Sequence, residues 1–336
     1  MNAYIWMDNP YIPPNTISLV RALVKRIVTT EPASTETIAY LDGGVDRIAG
    51  VSDKCDYPYE VMVKPKVVRT LLKIDENLSS EEIDRIYREY VRSGKPLYEI
   101  DWDLIEDIDP DLIVGQTLCS VCAFPLLSPL GSSINAKMPA MVIKHAQRFK
   151  SLRPRMIATY SPKTFLGIAR EALAISRMIG REEKGLRMLW EFQRALEELR
   201  GLGNNSKTLL IEWLKPLHIG GLWVSDLIEA SGSRSILRAG EEGRPVEWEL
   251  VKEFNPDLIL ISPCGLNIER TVHEIDLITK MPGWSELNAV RSKRVYVVDS
   301  AYVSRPGPRV IRLAKLLVDL YTGSDFEKEV AISIYD

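Results

Sequence analysis

The chain has 336 residues, 46% of them hydrophobic and 26% charged, enough to bury a large core and more in keeping with two domains than with one. Its 43 basic and 46 acidic residues leave a net charge of −3 with no long run of either sign, which excludes the electrostatic footprint of a nucleic-acid or anionic-membrane binder. Four cysteines in a chain of this length exclude a disulfide scaffold.

Residues 1–25 read as an N-terminal extension. They lack a basic start, carry Asp8, Pro10, Pro13 and Pro14, and never build the apolar core of a secretory signal. As written, this predicts a cytoplasmic protein, or an extracytoplasmic one if a leader has been removed. An N-terminal lobe over 26–160 follows, with strands expected near 27–30, 47–51, 112–115 and 155–159 and a helix over 81–92. The stretch from Leu112 to Ala136 is uncharged, but Gly115, Pro125, Pro129 and Gly131 break any membrane-spanning helix, so it reads as strand and then loop.

Residues 161–203 carry apolar side chains at helical spacing, opened by Ser161-Pro162 and closed by Gly201 and Gly203. They predict one long linker helix, with Gly180 as the place for a kink. A C-terminal lobe over 204–322 then holds strands near 208–212, 257–262 and 294–298 and a closing helix over 308–321, and residues 323–336 read as a tail.

DWDLIEDIDPDLIV (101–114) recurs as EWELVKEFNPDLIL (247–260) at a constant offset of 146 residues. Each copy is a short helix, an Asp/Asn-Pro-Asp stop, and an apolar run suited to a strand covered on both faces of a parallel sheet. The fold class is therefore α/β, with two pseudo-symmetric parallel-sheet lobes joined by a long helix. Trp102 and Trp248, the repeated pair, are assigned to helix–sheet packing.

Ligands of open parallel sheets bind beyond the carboxyl ends of strands, where loop amides and helix N-termini converge. The strand-following loops hold all four cysteines, Trp213, Trp223, Tyr57, Tyr302 and Arg305. Cys119 and Cys122 form a Cys-x-x-Cys spacing, but Pro125 and Pro129 deny it the helix that thioredoxin-like chemistry needs. Two readings stay open: a metal or iron–sulfur site in which Cys55, Cys119, Cys122 and Cys264 converge, or small cleft-lining and core residues. Cys119 lies eight residues after Asp111 and Cys264 seven after Asp257, so the repeat predicts that both face the cleft. Trp213 and Trp223 offer flat faces to a macrocycle, Arg305 a guanidinium to ligand carboxylates, or else to an acid such as Asp299, and His218 an imidazole to a metal centre. His145 and His273 read as surface residues. No Ser-His-Asp order, Walker loop or His-Glu-x-x-His pattern calls for catalysis.

CDYP (55–58), the Cys-x-x-Cys loop (119–122), EWLKPLHIGGLW (212–223), SPCG (262–265), ERT to PGW (269–284) and SRPGPR (304–309) occur in this order. In these motifs the chain resembles the helix-linked, class III substrate-binding proteins of cobalamin, haem and ferric siderophore ABC transporters. The subgroup labelled cobalamin-binding protein is the nearest. The resemblance spans roughly 26–322 and implies a non-enzymatic binder that holds a corrinoid or other metal chelate between its lobes and requires no resident cofactor. Cobalamin or an iron chelate is the implied bound molecule, with Pro32, Ala33, Ser34, Asp56, Tyr57, Thr117, Trp213, His218, Trp223, Gly265, Tyr302 and Arg305 as contacts. An ABC permease is the implied partner, yet SGSRS (231–235) has Arg234 where transporter-type members carry a docking glutamate. A cytoplasmic carrier, and from another class a cytoplasmic metal- or cluster-binding enzyme that uses the cysteines, are the alternatives.

Overall fold

The structure, a computed structural model, describes residues 24–72, 74–75, 78–94, 97–116 and 156–336. They fall into two compact units, one drawn from 1–73, 87–161 and 169–189, the other from 74–86, 162–168 and 190–336.

The first unit is built on six strands: β1 (Ile27–Thr29), β2 (Ile48–Ser52), β3 (Lys66–Thr70), β4 (Tyr98–Ile100), β5 (Leu112–Gly115) and β6 (Met156–Thr159). Their order is β4-β3-β2-β1-β5-β6, and every pair is parallel except β3 with β4. β1 and β5 are buried at every position, as expected of apolar runs covered on both faces. The order reverses between β1 and β5, so the crevice expected to take a ligand opens where Thr30 and Gln116 leave the sheet.

A second six-stranded sheet organises the other unit from β7 (Thr208–Trp213), β8 (His218–Ile219), β9 (Arg244–Pro245), β10 (Leu258–Ile261), β11 (Val295–Val298) and β12 (Ala331–Ser333). It runs β12-β11-β10-β7-β8-β9, with β7, β10 and β11 parallel and the outer pairings antiparallel. Trp248 and Trp284 stack in its core with centroids 6.1 Å apart.

The sequence repeat is a repeat of structure. Helices Trp102–Ile108 and Trp248–Phe254 end on residues in the left-handed region, Asp109 (φ 47) and Asn255 (φ 46), and both tryptophans are 5% exposed. The Asp that follows the proline has one task in both copies. Asp111 Oδ2 accepts from the backbone N–H groups of Lys25 (2.8 Å) and Arg26 (3.0 Å), and Asp257 Oδ2 from that of Lys207 (2.9 Å), which satisfies donors at the entry of β1 and of β7. Lys25 is thereby tied to the sheet, although the sequence places it in the N-terminal extension.

Two expectations are corrected. The single linker helix is two helices, α4 (Phe165–Met178) and α5 (Glu182–Leu199), with helices Pro32–Asp42, Ser80–Arg92 and Trp102–Ile108 as α1 to α3 before them. Gly180 takes φ 71, and the Arg181 N–H returns to Ser176 O at 2.7 Å, which closes the first helix. Phe165 and Phe192 stack at 4.6 Å, whereas 27 residues of one straight helix would hold them about 40 Å apart. The pair therefore folds back as a hairpin. Residues 323–336 are likewise no loose tail, because β12 pairs with β11.

Candidate functional site

In the first unit, Glu31 follows β1 and caps α1. Its carboxylate accepts from the N–H groups of Ala33 (2.6 Å) and Ser34 (2.7 Å), with Pro32 at the first helical turn. Burial pushes its pKa up to about 7. Around it lies a buried polar layer: Thr35 Oγ1 stands 2.6 Å from Thr29 Oγ1 and 3.1 Å from Cys55 Sγ. Among the predicted contacts, Ala33 and Ser34 are buried, Pro32 is half-buried, and Asp56 and Tyr57 are exposed. Tyr57 opens a rim that continues through Tyr59, 79% exposed, Met62 and Val63, with Val61 anchored beneath. Cys55 is buried and its thiol is pushed up to about 12 by burial, which opposes the thiolate that a metal requires. Thr117, Cys119 and Cys122 lie outside the described residues, and among the described residues no group of three or more His, Cys, Asp or Glu is placed to hold a metal ion.

In the second unit, Trp213 ends β7 half-buried, its Nε1 donating to Lys215 O at 3.1 Å. His218 pairs opposite it in β8, with Nδ1 2.9 Å from Pro216 O. The Cys264 N–H donates to Glu212 O at 3.1 Å, so the loop after β10 stays zipped to the end of β7, with Cys264 half-buried and Gly265 exposed. These residues form one wall at the carboxyl ends of two adjacent parallel strands.

Two predicted contacts turn inward. Trp223 lies on α6 (Leu222–Ala230), not on a loop; it is 6% exposed and its Nε1 donates to Val303 O at 2.8 Å. The Gly220-Gly221 pair ends the loop one residue before Leu222, so Trp223 is carried into the core. Tyr302 is 5% exposed, and its hydroxyl donates to Glu329 Oε1 at 2.6 Å. Arg305 is half-buried on the turn after the helix Ser300–Val303, and Asp299 accepts from the Ala301 N–H at 2.8 Å as the cap of that helix.

Sequence reasoning missed a second group in this unit. The Ser80 N–H, at the start of α2, donates to buried Glu274 Oε2 at 2.7 Å, Arg270 binds both Glu274 and Leu78 O, and Lys215 pairs with Glu81 at 2.8 Å. Separations of up to 194 residues leave no local sign of such contacts. A surface depression lined by Ser206, Asp257, Asn288, Arg291, Ser292 and Arg294 lies at the amino ends of the strands. Its polar groups serve the fold, with Asn288 Nδ2 donating to Asp257 Oδ1 at 3.0 Å.

Comparison with known proteins agrees with this architecture. A family model described as periplasmic binding protein matches residues 146–302. That segment of the chain is similar to the periplasmic binding protein family. The matched stretch runs from just before β6 to Tyr302 and so takes in Trp213, His218 and Cys264. A curated relative from Bacillus subtilis (strain 168), described as the uncharacterized ABC transporter substrate-binding lipoprotein YvrC, is 22% identical over 297 residues, covering 85% of this chain and 76% of its own. Among solved structures, the periplasmic vitamin B12 binding protein BtuF of Vibrio cholerae superposes with TM-score 0.61 at 19% identity, covering 89% of this chain and 97% of its own. The periplasmic heme-binding protein RhuT from Roseiflexus sp. RS-1 gives 0.60 at 18% identity, covering 90% and 100%. The fold is thus the two-lobe α/β fold of these binding proteins, as the sequence motifs imply.

Proposed function

We propose that the protein binds a corrinoid or another metal chelate through the strand-end loops of its two sheets, as a solute-binding protein of the ABC transporter type. The observation that carries the reading is the fold, which covers 97% of the vitamin B12 binding protein BtuF and the whole of the heme-binding protein RhuT. The loops supply matching chemistry. Exposed Tyr57 and half-buried Trp213 offer flat apolar faces, and His218 and Arg305 offer polar groups for ring substituents or a metal centre. Half-buried Pro32 and exposed Asp56 and Gly265 complete the contact set, whereas the buried Ala33, Ser34, Trp223 and Tyr302 act behind it. Capture is the whole mechanism, and a cobalamin or iron chelate is cargo rather than a resident cofactor.

A lipoprotein relative supports an extracytoplasmic protein that delivers to a permease, and the cytoplasmic expectation gains no support. The loop where transporter-type relatives are expected to carry a docking acid holds Arg234, whose backbone pairs with Lys207.

The test is calorimetric and spectroscopic titration of the purified protein with cyanocobalamin, haemin and a ferric siderophore. Stoichiometric uptake of one of them, weakened at least tenfold by Trp213→Ala, is expected. Failure of all three to bind would overturn the reading.

A further inference from the structure

The segment that follows helix Val310–Thr322 carries a set of contacts to residues distant in the sequence. With Trp248–Phe254 as α7, helices Ile268–His273, Asp276–Thr279, Asn288–Arg291, Ser300–Val303 and Val310–Thr322 continue the numbering as α8 to α12. Beyond α12 the chain returns so that β12 pairs with β11, and the Asp299 N–H donates to Val330 O at 3.0 Å, which clamps the start of α11. Phe326 meets Tyr296 edge-on at 5.5 Å. Glu327 pairs with Arg312 and, at 3.2 Å, with Lys315, while Glu329 Oε1 accepts from Arg312 at 3.0 Å and from the Tyr302 hydroxyl at 2.6 Å.

The ring of Tyr302 is held as tightly as its hydroxyl. Arg312 lies 4.9 Å and Arg309 5.5 Å from its centroid, both within cation–π range. Tyr302 and Arg309 stand at the two ends of the Ser304–Pro308 turn that carries Arg305, so their contact closes the base of that turn. Burial pushes the Tyr302 pKa up to about 12, and the bond from Tyr302 holds the Glu329 carboxyl below its usual range. Near neutral pH the bond between them is thus a charge-assisted O–H···O⁻ bond, the stronger kind. Ordinary exposed ion pairs contribute little, but this network converges on a side chain that is 5% exposed.

We infer that the segment 323–333 is a latch in which Glu329 is a positioning residue: it pins Tyr302 and, through the contact of Tyr302 with Arg309, fixes the Arg305 turn between α11 and α12. The part of this inference that concerns ligand affinity rests on the proposed function. The part that concerns the order of the turn does not.

The experiment compares wild type, Glu329→Gln, Tyr302→Phe and the double variant in the full chain. Amide exchange by mass spectrometry is read over residues 299–309 and over β7 and β10, together with Tm and titration with cyanocobalamin and haemin. Each single variant should speed exchange across the turn about tenfold, the double variant no more than either single one, and β7 and β10 should be unchanged. Where wild type binds one of the two ligands, Glu329→Gln should weaken it about three- to tenfold with Tm nearly constant. Unchanged exchange over 299–309, or faster exchange across β7 and β10 as well, would overturn the latch. Absence of binding by wild type would count against the proposed function alone, since the exchange result still decides the latch.

Discussion

Trp213 and Trp223 flank the same loop and are chemically identical, yet the structure assigns them opposite roles, and two alanine substitutions separate these. Trp223 is 6% exposed, so Trp223→Ala removes a buried indole at about 3–5 kcal/mol. It also leaves Val303 O without its 2.8 Å donor, which adds about 1–3 kcal/mol if no water enters. A total of about 4–8 kcal/mol is a large part of a typical domain's stability, so this variant should unfold far below wild type or fail to accumulate. Trp223→Phe, which keeps most of the volume, isolates the lost hydrogen bond and should cost about 1–2 kcal/mol. Trp213 is half-exposed and donates to Lys215 O, a carbonyl within reach of solvent, so Trp213→Ala should cost less than about 1.5 kcal/mol. Urea unfolding of the three variants measures these costs, and ligand titration of the folded ones completes the comparison. Equal stability losses at the two positions, or a Trp223→Ala protein as stable as wild type, would refute the assignment.

Gly185→Ala tests the helix hairpin. Ala is favoured in a helix by about 1 kcal/mol, but the new Cβ would stand 2.9 Å from Leu173 Cα and 2.1 Å from Ser176 Oγ, so a net loss of about 1–2 kcal/mol is expected on thermal unfolding, whereas a gain would mean that α4 and α5 do not pack here. Asp42 is bonded by Arg47 (2.6 and 2.8 Å) and Arg181 (3.0 Å), chiefly by Arg47, and its pKa is lowered from the ordinary 3.8. A depressed folded pKa contributes stability that is complete above the unfolded value and lost as pH falls through the folded one. Asp42→Asn should therefore be less stable than wild type at pH 7 by about 1–2 kcal/mol, and the gap in urea midpoints should close in acid; a gap that persists there would show that the charge is not its source.

The parallel core was legible because its strands are uninterrupted apolar runs: IVT, LIVG and LILI are buried at every position, and no other element here has that pattern. β8 and β9 at one side of the second sheet were not, since they have two residues each and no period can show in two residues. The hairpin at 179–181 escaped notice for a specific reason. Ile179 is 1% exposed and keeps the apolar stripe in phase across the turn, so the sequence looks continuous while Gly180 reverses the chain. Trp223 and Tyr302 were misplaced because an aromatic near a strand end carries no sign of the direction it faces. That depends on where the next helix starts, and for Tyr302 on a glutamate 27 positions away.

The repeat explains why site chemistry was harder to read than site position. Asp111 and Asp257 bind the backbone at the entry of the neighbouring strand in the same way, and the helices before them end on a left-handed residue at the same position, so the scaffold duplicates down to single hydrogen bonds. Beyond the strands the likeness stops. After β1 and β2 the first unit presents Glu31, Thr35 and Cys55, sealed from solvent, with the Thr35 hydroxyl bonded to the Glu31 carbonyl or the Cys55 thiol and the Glu31 carboxylate to the backbone of α1. After β7 the second presents Trp213 and His218, half-open and aromatic. A buried carboxyl and hydroxyl layer fixes the backbone of α1 and leaves contact to the exposed Tyr57 rim, whereas a half-open aromatic wall can itself meet a ring. On the proposed function, the duplicated sheet sets where a ligand is met, and the unduplicated loops set how. Substitutions at Asp111 or Asp257 should register in stability, and those at Tyr57 or Trp213 in affinity.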